Sequence, residues 1–229
     1  AFNKAIKLDP GSNEMFLGLA RLYREYGWYS QAENILNRVV EEKTVSHQVY
    51  IALGRLYRDK NNIPRAEEAF KRSIALSPRN SMAYLELSRV YVMAGDFLQA
   101  EEALKKSITL NRRSSEAYFE LGKVYAMTRD FSRAEEAFKK ALGLDPGNKD
   151  AMLKLAVLYR EYGRYSQAEE ILKKIIEQKP VNPQAYIELG RLYRDKNNIP
   201  QAEEAFRKAL ELNPLNVEPY LELGDLYQT

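Results

Sequence analysis

Apolar residues recur along the chain at helical spacing, in short stretches separated by polar breaks. Between residues 47 and 80, the first stretch places Tyr50, Leu53, Gly54 and Tyr57 on one stripe of an α-helix. Asn61-Asn62 interrupts it. Pro64 then suits the first turn of a second helix, where a missing N–H costs nothing. That helix is predicted to bury Ala66, Ala69, Phe70 and Ile74. Pro78 closes the segment, because a proline pushes the residue before it out of the helical region. Nowhere do apolar and polar residues alternate with the period of two that a half-buried strand requires. The pattern predicts an all-α protein.

The same pair of helices repeats. Ala-Glu-Glu, or Ala-Glu-Asn, occurs at Ala32, Ala66, Ala100, Ala134, Ala168 and Ala202, each 34 residues after the last. Tyr23, Tyr57, Tyr91, Tyr125, Tyr159, Tyr193 and Tyr227 keep that period. So do Pro78, Pro146, Pro180 and Pro214, with Thr44 and Arg112 at the two departures. Six full units follow: 13–46, 47–80, 81–114, 115–148, 149–182 and 183–216. Residues 1–12 are the tail of a unit and 217–229 the head of one, so a single array over 1–229 is expected.

A 34-residue helix–turn–helix period resembles the tetratricopeptide repeat. The last full unit supplies that family's pattern with Tyr186, Leu189-Gly190, Tyr193, Ala202, Phe206, Ala209 and Pro214. The fourth supplies Tyr118, Leu121-Gly122, Tyr125, Ala134, Phe138, Ala141 and Pro146. Small residues at Gly190 and Ala202 let helices approach, and Tyr186, Tyr193 and Phe206 fill the space between units. Ala20, Ser88 and Ala156 replace the glycine with other small residues. The resemblance implies a solenoid: a right-handed superhelix of about fourteen helices whose inner wall is built from the first helix of each unit.

A longer period lies over the short one. Residues 1–93 match 137–229 at an offset of 136, with 55 of 93 pairs identical. Two readings are open: duplication of a four-repeat block, or a groove that meets a repetitive ligand twice. Neither end carries the polar-faced helix that normally caps an array, so the sequence reads as part of a longer one. Phe2 and Ile6 at the start, and Leu221, Leu223 and Tyr227 at the end, are expected to expose apolar surface. Weak head-to-tail self-association is expected to cover it.

Composition narrows the function. The chain has 229 residues, no cysteine and one histidine, His47. Disulfides, thiolate chemistry, cysteine-held zinc and multi-histidine metal sites are excluded. No phosphate-binding loop, metalloprotease motif or catalytic-triad spacing occurs. The chain is read as a non-enzyme with no catalytic, cofactor-binding or metal-binding residues. A formal charge of +3 is too small to point to nucleic acid. No apolar run reaches the ~20 residues of a membrane span.

If the inner wall follows the resemblance, the core stripe leaves another face of each first helix for a groove. On it lies an apolar series: Leu17, Ile51, Leu85, Phe119, Leu153, Ile187 and Leu221. Beside it run Arg21, Arg55, Arg89, Lys123 and Arg191, and then Arg24, Arg58, Arg160 and Arg194. In the middle units Val92 and Ala126 replace the latter arginines, next to Met93 and Met127. The expected binding strip is Leu85, Met93, Phe119 and Met127, with Arg58, Arg89, Lys123 and Arg160 orienting the ligand. The competing reading is that the apolar residues pack adjacent first helices together. For the charges it is that they neutralise one another as i,i+4 pairs (Arg21–Glu25, Arg55–Asp59, Arg191–Asp195) and i,i+3 pairs (Glu86–Arg89, Glu120–Lys123, Glu188–Arg191). Trp28, at an inter-helix turn, is a further candidate contact.

Two subtypes of the family do not fit. The chaperone-binding "carboxylate clamp" needs a polar residue where the apolar series stands. The asparagine ladder of glycosyltransferase-linked arrays is replaced by Gly18, Ala52, Glu86, Glu120, Lys154, Glu188 and Glu222. The leading expectation is a scaffold that binds a peptide or protein segment in its groove. Alternatives are an architectural array and a non-catalytic arm of a larger enzyme.

Overall fold

The computed structural model describes residues 13–41, 46–178 and 182–227. Among them are thirteen α-helices and no strand. They are α1 (Asn13–Glu25), α2 (Tyr29–Glu41), α3 (His47–Asp59), α4 (Ile63–Leu76), α5 (Ser81–Ala94), α6 (Phe97–Leu110) and α7 (Ser115–Met127). Then follow α8 (Phe131–Leu144), α9 (Lys149–Glu161), α10 (Tyr165–Glu177), α11 (Pro183–Asp195), α12 (Ile199–Leu212) and α13 (Glu218–Leu226). The helix expected within 1–12, with Phe2 and Ile6, lies outside the described residues, as do Thr44 and Pro180. The chain gathers into two compact units, residues 1–124 and 125–229, and the division falls inside α7.

The turn from first to second helix is built identically six times. Gly27, Asn61, Gly95, Arg129, Gly163 and Asn197, spaced 34 apart, take positive φ of 56–77°. The next amide then donates to the carbonyl of the repeat tyrosine, as Asn62 does to Tyr57 and Asn198 to Tyr193, each at 2.8 Å. This closes the last helical turn. Side chains of Asn62, Asp96, Asp130 and Asn198 accept from a backbone amide in the first turn of the second helix and cap it.

The periodic residues meet one another. The six alanines of the Ala-Glu motif are wholly buried, where only a methyl separates the helices. The glutamate that follows has a partner in the next repeat. In the first unit Tyr57 donates to Glu33 at 3.1 Å, and in the second Tyr193 donates to Glu169 at 3.1 Å and Tyr159 to Glu135 at 2.8 Å. The two periodic motifs are therefore two ends of one hydrogen bond between successive repeats.

Gly54 and Gly190 have a strict steric reason. A Cβ on Gly54 would lie 2.6 Å from the Phe70 ring, and one on Gly190 would overlap the Phe206 ring in the same way. Where the partner place on the second helix holds leucine (Leu36, Leu104, Leu172), the first helix carries Ala20, Ser88 or Ala156. The departures from glycine are thus matched to a smaller side chain opposite.

Candidate peptide-binding face

Successive first helices pack on one another: α1 on α3 and α3 on α5 in the first unit, α9 on α11 and α11 on α13 in the second. That packing decides the fate of the apolar series. Leu85 is only 2% exposed, and Ile51 and Ile187 are buried as well. The expectation that Leu85 anchors a ligand is therefore corrected: its surface is already spent on the fold. Met93 remains 47% exposed and Met82 38%. Phe119 is half-buried, with the Lys123 ammonium 5.2 Å from its ring centre. In the second unit Met127 is 53% exposed.

The charges form a ladder between repeats. Glu86 is buried on α5 and receives Arg55 from α3 at 2.7 Å through Nε, with Arg58 also on its carboxylate. Arg89, one turn on, adds a third guanidinium at 3.5 Å. Burial pushes the Glu86 carboxyl up, but these three cations outweigh it and hold it below the usual carboxylate range. Arg89 in turn reaches Glu120 at 3.1 Å and also pairs with Glu116, while Lys123 meets Glu120 at 2.5 Å. In the second unit, Arg191 contacts Glu188 at 2.8 Å, Glu222 at 2.6 Å and Glu218 at 2.7 Å, and Arg194 shares Glu222. Arg160 pairs with Asp195 at 2.7 Å and lies 3.6 Å from Glu188.

The expected i,i+3 pairs are present, and Arg21 keeps Glu25 at 3.8 Å. Arg55 and Arg191 differ from expectation. Each turns from the aspartate on its own helix to a carboxylate 31 residues on, in the next repeat. The reason is burial: a carboxylate withdrawn from water needs a cation more than an exposed aspartate does.

The ladder has a gap. Where the third, fourth, sixth and last repeats carry Glu86, Glu120, Glu188 and Glu222, the fifth carries Lys154 and the first two Gly18 and Ala52. A cavity of about 910 Å³ opens there on the faces of α1 and α3, lined by Gly18, Arg21, Arg24, Ala52, Arg55 and Met82, among others. At the turn after α1, Trp28 stands exposed with ring centres 5.6 Å from Tyr23 and 5.7 Å from Tyr26.

The family described as Cilia and flagella-associated protein 70 C-terminal domain, a tetratricopeptide family, matches residues 11–221. The chain belongs to that family. Similar solved structures agree with the repeat type. MamA is 32% identical with a TM-score of 0.63, over 72% of this chain and 90% of its own. A thermophilic tetratricopeptide protein of Thermus thermophilus is 25% identical with a TM-score of 0.65, over 81% of this chain and 100% of its own. YrrB, described as a tetratricopeptide protein with an unusual peptide-binding site, is 20% identical with a TM-score of 0.63, over 81% and 95%. No curated protein matches the chain in sequence.

Within this tetratricopeptide array, the sequence placed Arg58, Arg89, Lys123 and Arg160 on the first helices, and the structure finds each engaged by carboxylates. The acidic series of Glu86, Glu120, Glu188 and Glu222 was visible, but only as a missing asparagine ladder. The signal that identifies it is spacing: each glutamate follows a basic residue by 31 or 28 positions, one helix-to-helix step across the repeat. Among the described residues, no helix is long and apolar enough to cross a membrane.

Proposed function

We propose that this array is a non-catalytic scaffold that binds a peptide or protein segment against the face of its first helices. The observation that supports it best is the open cavity beside α1 and α3, continued along the same helix faces by exposed Met82 and Met93. Methionines adapt to varied apolar side chains, and a cavity of several hundred Å³ admits peptide side chains. The peptide-binding site in the description of YrrB points the same way. Met93 and Phe119 are the apolar contacts of the first unit, with Met127 offering one in the second. Arg58, Arg89, Lys123 and Arg160, held by their glutamates, present fixed donors to ligand carbonyls.

A random peptide library displayed on phage and panned on the chain tests this. Selected peptides should lose at least about tenfold in affinity on Met93→Asp or Phe119→Asp, the scale of one buried apolar contact. Circular dichroism of each variant should be unchanged. Failure to select any peptide, or indifference to both substitutions, overturns the reading.

Self-association is a second reading, favoured by the exposure of Leu215, Leu221 and Tyr227 on and beside α13. Its expected counterpart, residues 1–12, lies outside the described residues. Sedimentation velocity over a wide concentration range should show a rising weight-average mass. A constant monomer mass removes this reading.

A further inference from the structure

We infer that the gap at Ala52 is a carboxylate-accepting slot, filled by an aspartate or glutamate side chain of a bound acidic peptide. The inference rests on the peptide-binding reading above and names the chemistry of its ligand.

The register of the ladder carries it. Glu86 is surrounded by Arg55, which lies 31 residues before it, by Arg58, 28 before it, and by Arg89, three after it. Moved back by one 34-residue repeat, the same three places are Arg21, Arg24 and Arg55, and the residue they surround is Ala52. The cations are kept and the carboxylate is missing. A second carboxylate is missing as well. Arg89 pairs with Glu116 and Arg191 with Glu218, each 27 residues on; for Arg21 that place is the neutral Gln48.

The side chains behave accordingly. Arg55, Arg89 and Arg191, each gripped by the next repeat, have side chains 33%, 26% and 23% exposed. Arg21 is 73% exposed, and its ion pair is with Glu25 at 3.8 Å on its own helix. Arg24 pairs with Asp59 at 3.4 Å, the same inter-repeat pair that Arg160 makes with Asp195 beside Glu188. Gly18 and Ala52 both line the cavity of about 910 Å³, so the place that a glutamate side chain takes at Glu86 opens on it here. Its lining includes three arginines and one carboxylate, Glu14, with Leu17, Ile51 and Met82 to receive an aliphatic stem. An incoming carboxylate would draw on guanidinium groups that line the same recess, where charge-assisted hydrogen bonds are strongest.

The test uses a small probe and a peptide. The probe is N-acetyl-glutamate N-methylamide, with its glutamine analogue as control, followed by the Nε–Hε NMR signals of arginine. Arg21 and Arg24 signals should shift with the glutamate probe only, and neither should shift in Ala52→Glu, which supplies the missing carboxylate from within. Ala52→Glu should also keep or raise the thermal midpoint. Arg21→Gln gives an independent arm should Ala52→Glu fold poorly. A panned peptide, acetylated and amidated at its ends, should lose about tenfold in affinity when its acidic residue becomes Asn or Gln, and likewise with Arg21→Gln. Peptides that bind, depend on Met93 and ignore Arg21, Ala52→Glu and their own carboxylates would overturn the slot and leave the scaffold intact. A requirement for a free C-terminal carboxylate in place of an acidic side chain overturns it too. If no peptide binds, the scaffold reading fails separately. The slot is then decided by the probe, whose equal effect on wild type and Ala52→Glu would refute it.

Discussion

Gly54→Ala is predicted to change sign with its neighbour. Glycine inside a helix is worse than alanine by about 0.8–1.0 kcal/mol, so on propensity alone the substitution should stabilise α3. The structure opposes it. The new Cβ would sit 2.6 Å from Cε1 and Cζ of Phe70 and 2.8 Å from Cδ1. Phe70 is fully buried, so the ring has nowhere to retreat. Overpacking of this kind costs about 1–3 kcal/mol and outweighs the propensity gain, leaving a net loss of about 1 kcal/mol. Phe70→Leu removes the ring atoms that clash and recreates the Ala–Leu combination of the first and fifth repeats, Ala20 with Leu36 and Ala156 with Leu172. In that background Gly54→Ala should stabilise by a few tenths to about 1 kcal/mol. The coupling between the two sites should be about 1–3 kcal/mol. Urea unfolding of the wild type, both single variants and the double variant, followed at the helical circular dichroism band, measures all four corners. An effect of the same sign in both backgrounds would refute the steric account of the glycine.

Ala100→Leu and Ala134→Leu should each cost about 1–3 kcal/mol, because both methyls are fully buried between helices; thermal midpoints unchanged for both would contradict that packing. Arg129 holds a positive φ of 59° where three other repeats have glycine, so Arg129→Gly should stabilise by about 0.5–1 kcal/mol in urea unfolding, and Gly95→Ala should destabilise. Acid should weaken the fold through carboxylates with lowered folded pKa values. The hydrogen bond from Lys173, aided by Lys196 and Tyr193, draws Glu169 down to about 2, and the arginines around Glu86 hold it low against its burial. A folded pKa below the ordinary 4.5 stabilises the charged form, so this contribution is full above pH 4.5 and lost as pH falls towards about 2. The thermal midpoint should drop across that window and drop less in Glu169→Gln; a flat profile would show that these ion pairs contribute nothing.

The 34-residue period determined the helices, their pairing and the buried alanines, because these depend on local spacing and on small residues at fixed places. The all-α class and the tetratricopeptide type were legible for that reason. So was the exposure of Met93 and Met127, which lie late in their helices. What the period could not show was which neighbour each side chain would choose. Leu85 looked like a groove residue on a single helix, and only the tertiary packing around α5 removed it from water. Arg55 had an aspartate one turn away on its own helix, yet Glu86 captured it across the repeat, since a buried carboxylate gains more from a cation than an exposed one does. Glycine and phenylalanine at Gly54 and Phe70 lie 16 residues apart, and their dependence appeared only when the ring was seen against the helix backbone. The gap at Ala52 is of the same kind. An alanine is unremarked in sequence and becomes informative only when three arginines line one cavity with it and the same place in the next repeat carries Glu86.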